Sequence, residues 1–137
     1  MSVETNIAVV KDFFAAMGGD RQAIVALTTP DIEWIIPGEG WPLAGTHRGH
    51  AGLQSLLDIA SDAVETRFPN PPEYVAQGDR VFVIGFAEGT IKATGKAFKD
   101  DFVFAITVRD GRVACIREYV DTQALARAAE PHPAKNA

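Results

Sequence analysis

"KDDFVFAITV", residues 99–108, is followed by "RDGRVACIREYVD", residues 109–121, and the way these two runs face each other decides the fold. Side chains alternate sides along a strand, so Phe102, Phe104, Ile106 and Val108 share one face, the buried one. Asp100 falls on that same face. A carboxylate in an apolar row is costly unless it is paired, hydrogen-bonded, protonated or open to a water-filled hollow. In the second run Ala114, Ile116, Glu118 and Val120 share a side, and Glu118 repeats the anomaly. The loop between the runs sets the register, and two lengths are possible. A two-residue Asp110-Gly111 turn sets Phe104 opposite Arg117, which carries an arginine into the core. A three-residue loop with Gly111 in a left-handed bulge position pairs Phe104 with Ile116 and Phe102 with Glu118, and is preferred.

Upstream, residues 73–78 and 81–91 are further β-branched runs, broken from each other and from the next by the turn signals "QGD" and "ATG". With 97–108 and 112–121 they form an antiparallel meander. On residues 81–91 Phe82, Ile84, Phe86 and Glu88 share a side. A three-residue loop at Ala93–Gly95 pairs Phe86 with Phe102 and Glu88 with Asp100. Glu118 then lies diagonal to Asp100, at about 7 to 8 Å on the Cα scale. The expected result is a concave apolar wall of Phe82, Ile84, Phe86, Phe102, Phe104, Ile106 and Ile116, carrying Glu88, Asp100 and Glu118. Neighbouring carboxylates in low dielectric cannot all ionise cheaply, so at least one pKa should rise. The alternative is that each acid is solvated, or paired with Lys92, Lys96 or Lys99.

The first half is helical. Val3, Ile7, Val10, Phe14 and Met17 recur at helical spacing before Gly18 and Gly19. Asp20 caps a short helix through Leu27, and "TTP" ends it. "DIEWII", residues 31–36, reads as a strand, "PGEGWPLAGTHRGH" as an irregular loop, and residues 51–64 as a third helix ending before "FPNPP". "DTQALARAA" closes the chain with a short helix. Helices first and strands after argue for an α+β fold, with the helices packed on one face of the sheet. One domain over residues 1–130 is expected, with a frayed tail at 131–137.

Composition narrows the function. The chain has 137 residues, with 13 Lys plus Arg against 18 Asp plus Glu, a net charge of −5, and no basic run to track a phosphate backbone, so nucleic acid is not an expected partner. Its single cysteine, Cys115, makes neither an intramolecular disulfide nor a Cys-based metal site. The start lacks the pattern of a signal peptide, no apolar run approaches a membrane span, and the expected home is the cytoplasm. His47, His50 and His132 show no metal-ligand spacing, "GTHRG" lacks the phosphate-loop pattern, and Cys115 has no nearby histidine to activate it. Trp34 shares a face with Ile32 and Ile36. Trp41, in a Gly/Pro loop, is placed to guard a pocket mouth. The other sheet face, with Val103, Ala105, Thr107, Cys115 and Tyr119, is too apolar to be left wet. It suits a dimer interface or a covering layer of helix.

The order helix, "GGD", helix, "PDIEWIIPG", "PLAGTHRG", helix, meander and "RDGRVACIREYVD" resembles the SnoaL-like branch of the nuclear transport factor 2-like superfamily, which includes ketosteroid isomerases and limonene epoxide hydrolase. The resemblance implies a cone-shaped, antiparallel-rich curved sheet wrapped around the N-terminal helices, a cystatin-like α+β roll. It implies a deep apolar pocket beside the Trp41 loop and a homodimer. Asp100 in "DDFVF" is similar to the isomerases' oxyanion-hole aspartic acid, which its apolar site keeps protonated. The isomerases' tyrosine and general-base aspartate correspond to Phe13 and Ile36 here. Glu118 and Glu88 are similar to the two water-handling carboxylates of the epoxide hydrolase. Its intervening arginine corresponds to Phe86, and its water-holding tyrosine and asparagine to Trp34 and Ile36. The reading implied is a cofactor-independent pocket protein for an apolar, oxygen-bearing ligand such as a polyketide, terpenoid or steroid-like compound. Asp100 is its expected proton donor, Glu118 the base and Glu88 a tuning group. Phe13, Trp34, Ile36, Trp41, Ile84, Phe86, Phe102, Phe104 and Ile116 are the expected ligand contacts.

Overall fold

The computed structural model describes residues 2–133, so Met1 and most of the tail expected to fray, residues 134–137, lie outside the described residues. Helix α1 (Val3–Ala16) is started by Ser2, whose hydroxyl accepts the Thr5 N–H, and it buries Asn6, Val10 and Phe13. Asp20 starts α2 (Arg21–Ala26) in the same way, accepting the Ala23 N–H at 3.0 Å. Strand β1 (Thr28–Ile36) begins three residues earlier than the sequence suggests. The Thr28 hydroxyl bonds back to the carbonyls of Ile24 and Val25, and Thr28 is already opposite Val113.

Two short strands were hidden in the sequence. The loop expected to be irregular contains β2 (Gly45–Arg48), antiparallel to β1, and α3 (Gly49–Ala63) runs directly into β3 (Val64–Arg67). The meander follows as β4 (Glu73–Gln77), β5 (Arg80–Ile91), β6 (Lys96–Arg109) and β7 (Arg112–Tyr119), and α4 (Thr122–Ala129) closes the described chain. The seven strands form one curled sheet in the order β2-β1-β7-β6-β5-β3, with β4 also on β5. It is mixed, because β1 runs parallel to β7. The outer edge of β5 is shared, β4 pairing with Arg80–Ile84 and β3 with Glu88–Ile91.

Both hairpins depart from the expected register. The β6–β7 turn has two residues, Asp110 and Gly111, both at positive φ, and pairs Arg109 with Arg112. A bulge at Ala114 then shifts the pairing, setting Thr107 opposite Cys115 and Phe104 opposite Glu118. The net displacement from the expected register is two residues, so the faces survive: Asp100, Phe102, Ile106, Ile116 and Glu118 all point inward.

The β5–β6 loop is one residue longer than expected. It pairs Ile91 with Lys96 and therefore Phe86 with Asp101, Ala87 with Asp100 and Glu88 with Lys99. The Gly95 N–H bonds to the Ile91 carbonyl, and the Thr94 hydroxyl donates to the Ala128 carbonyl while accepting the Lys96 N–H. A shift of one residue turns a strand over. The inward row of β5 is consequently Val81, Val83, Ala87 and Ile91, while Phe82, Ile84, Phe86 and Glu88 lie on the outer face.

Glycines fit that inner row to its neighbour. Gly85 and Gly89 are opposite Phe102 and Phe98, whose rings lie across β5. A Cβ at Gly85 would sit 2.7 Å from the Phe102 ring, and one at Gly89 would collide with the Phe98 ring and the Glu65 carbonyl. The main core packs Val10, Phe13, Ile24, Ile32, Leu53 and Leu56 against Val81, Ile106, Val113 and Ile116. Among the described residues no helix is long and apolar enough to cross a membrane.

Candidate functional site

A cavity of about 670 Å3 remains between the concave sheet face and the helices. Its walls are Phe14 and Met17 of α1, Leu56, Leu57 and Ala60 of α3, Trp34 and Ile36 of β1, Val83 and Ala87 of β5, Phe98, Phe102 and Phe104 of β6, and Leu125 of α4. Trp41, Leu43, Tyr74 and the link Phe68–Pro72 complete it. The aromatic wall is continuous, with ring centroids 4.6 Å apart for Phe102 and Phe104 and 5.8 Å apart for Phe14 and Phe104.

Two carboxylates interrupt this surface. Asp100 is 7% exposed and Glu118 is 8% exposed, and both line the cavity. Trp34 Nε1 donates to Glu118 Oε2 at 2.5 Å, a contact made possible because parallel pairing of β1 and β7 puts Trp34 beside Ile116, two residues from Glu118. Asp100 Oδ1 accepts the Asp121 backbone N–H at 2.7 Å. Asp121 in turn caps α4 by accepting the Ala124 N–H, so Asp100 is fastened to the entry of that helix.

Burial pushes the Glu118 carboxyl up to about 7. The Trp34 N–H opposes this by favouring the charged form, and the negative charge of Asp100 adds to it. Asp100 is also raised, by burial and by the charges of Asp121 and Asp101, against the stabilising N–H of Asp121. Near neutrality Glu118 exists in comparable amounts with and without its proton, the condition under which a group exchanges protons efficiently.

Of the residues expected at the site, Asp100, Glu118, Trp34, Ile36, Trp41, Phe102 and Phe104 line the cavity. Phe13 and Ile116 do not. Both are fully buried behind the wall, the Phe13 ring 5.8 Å from that of Trp34. Glu88, Ile84 and Phe86 are corrected to the outer face, for the reason of register given above; Glu88 sits opposite Lys99 and lies 3.9 Å from Arg67. The cluster of three acids is thus a pair. Sequence reasoning missed the Phe68–Pro72 link, which it took only as a helix stop, and missed Phe14 and Met17 as cavity walls although both belong to the apolar stripe of α1. It also missed Phe98, whose placement depends on Gly89. Among the described residues, no three of His, Cys, Asp or Glu come together to hold a metal.

A curled sheet closed by helices over an apolar cavity with two sunken carboxylates defines an α+β roll with an internal hollow. The chain belongs to the SnoaL-like domain family, whose model matches residues 10–116. It is similar, at 62% identity and a TM-score of 0.93, to the crystal structure of a nuclear transport factor 2-like protein from Burkholderia xenovorans LB400, covering 95% of this chain and 99% of that one. TerC, crystallised with polyporic acid, is 31% identical with a TM-score of 0.78, over 91% of this chain and 98% of that one. A protein of cystatin-like fold from Xanthomonas campestris shares the fold at 24% identity and a TM-score of 0.75, over 90% and 95%. No curated protein matches the chain.

Proposed function

We propose that this protein is a cofactor-independent acid/base enzyme of the isomerase, cyclase or hydrolase type, acting on an apolar, oxygen-bearing small molecule. The observation that carries this reading is the pair Asp100 and Glu118, buried in the wall of an otherwise greasy cavity. Glu118 is the proton-exchanging group. It gives a proton to a developing oxyanion, or takes one from a carbon or a water, while the Trp34 N–H fixes its orientation. Asp100, tethered by the Asp121 N–H, raises the proton affinity of Glu118 and offers its free oxygen to a substrate hydroxyl. Glu88 has no part in this scheme. The cavity volume suits a ligand of drug-like size, such as a polyketide, terpenoid or steroid-like compound. That TerC was crystallised with polyporic acid supports a small-molecule ligand.

Turnover of a panel of ketones and epoxides tests the reading. A substrate found there should be lost with Glu118→Gln and with Asp100→Asn, neither substitution lowering the melting temperature by more than a few degrees. Full turnover in both variants would refute the acid/base roles. A second reading, non-catalytic ligand binding, is favoured by Phe13, a core residue with no hydroxyl where the isomerases carry their tyrosine. In that case ligands raise the melting temperature and are recovered unchanged.

The same proposal includes a homodimer through the outer sheet face, in the cytoplasm. Two registered rows support it, Ile84–Val103–Tyr119 and Val75–Phe82–Ala105, in which Val75, Ile84 and Tyr119 are exposed apolar side chains. Ile84→Lys should convert a dimer to a monomer on size-exclusion chromatography with light scattering; a monomeric parent protein would refute it.

A further inference from the structure

Alternation along β6 and β7 separates charge across the sheet. Asp100 and Glu118 point into the cavity, while their neighbours Lys99 and Arg117 are exposed on the other side. Among the described residues the cavity wall contains no Lys, Arg or His, and besides the two tryptophans its remaining polar side chains are Thr66, Asn70 and Tyr74. Lys11, on α1, sits over the Tyr74 ring at 5.0 Å. Among the described residues neither cavity carboxylate has an ion-pair partner. Each accepts one protein hydrogen bond on one oxygen, leaving Glu118 Oε1 and Asp100 Oδ2 to be satisfied from the cavity side.

A ligand entering such a space displaces the water that solvates those oxygens. It must therefore bring donors of its own, since an unpaired buried carboxylate is expensive. A ligand carboxylate does the opposite, adding a third negative group against a wall whose described residues carry no cation. The aromatic faces of Phe14, Phe102 and Phe104 take a flat ring system and accept a positive charge at its edge.

We propose that the cavity sorts aromatic ligands by charge: it takes a skeleton that turns a hydroxyl or a protonated amine toward Asp100 and Glu118, and it refuses the same skeleton bearing a carboxylate. This rests on the small-molecule reading above and specifies its substrate class.

Isothermal titration at mildly alkaline pH with 2-naphthylmethanol, 2-naphthylmethylamine and 2-naphthoate is the test. The alcohol and the amine should bind, the amine at least as tightly. The carboxylate should bind on the order of a hundredfold more weakly than the alcohol. In the Asp100→Asn/Glu118→Gln double variant that gap should collapse to within about threefold. Each single variant should narrow it partway, which keeps the test usable if the double variant does not fold. Equal binding of all three compounds, or a gap that persists in the folded variants, overturns the charge rule and leaves the small-molecule reading standing. Failure of all three to bind overturns both.

Discussion

Glu118→Gln measures directly what the sunken carboxylate costs the fold. The carboxyl is raised from 4.5 to about 7, chiefly by burial. The native state therefore keeps a proton that the unfolded chain gives up. With the folded pKa above the unfolded one, the stability is fully present below about pH 4.5 and is lost progressively as pH rises through about 7. At roughly 1.36 kcal/mol per pH unit, the interval from 4.5 to about 7 corresponds to about 3 kcal/mol. Glutamine keeps the shape and still offers Trp34 an oxygen to donate to, but it never ionises. The variant and the parent should have nearly equal unfolding free energies at about pH 4, and the variant should be about 3 kcal/mol more stable at about pH 8. Urea denaturation at several pH values, followed by the fluorescence of Trp34 and Trp41, reads the difference. A difference that stays constant across that range would mean that the carboxylate is solvated, and the proton-exchange argument would fail with it.

Trp34→Phe removes the N–H that favours the ionised form, so the pH-dependent loss should still begin near pH 4.5 but extend to higher pH, with about 1 to 2 kcal/mol lost from the missing hydrogen bond. An unmoved pH profile would deny Trp34 its positioning role. Gly89→Ala puts a methyl against the Glu65 carbonyl and the Phe98 ring and should cost about 1 to 3 kcal/mol in thermal or chemical denaturation. An unchanged melting temperature would show that β3 and β5 yield easily. Glu88→Gln alters only an exposed pair with Arg67 at 3.9 Å, and should change stability by less than about 0.5 kcal/mol and leave ligand affinity unaltered; a large loss of affinity would restore Glu88 to the site.

The helices and the four long strands were legible because each carries its own periodicity, helped in places by a cap such as Asp20 or a turn residue such as Gly111. The faces of β6 and β7 were read correctly although their register was not, because a shorter turn and a bulge at Ala114 displaced it by an even number of residues. The face of β5 was inverted by a single extra loop residue, and hydrophobicity favoured the error. Phe82, Ile84 and Phe86 make the more apolar row, yet the inner row is the one interrupted by glycines, where Phe98 and Phe102 supply the missing volume from the next strand. Parallel pairing of β1 with β7, which brings Trp34 to Glu118, joins residues 84 positions apart and leaves no local trace in either strand.

The shared edge of β5 has a bearing on how this chain behaves in a crowded cell. Between the stretches taken by β3 and β4, Gly85–Ala87 has no strand on its outer side among the described residues. Such a gap invites an extended segment from another molecule to add itself. The link over it carries Pro69, Pro71 and Pro72, with Pro72 packed close to Gly85. Proline has no N–H to continue a ladder. The same residues that wall the cavity thus act as a guard against edge-to-edge aggregation.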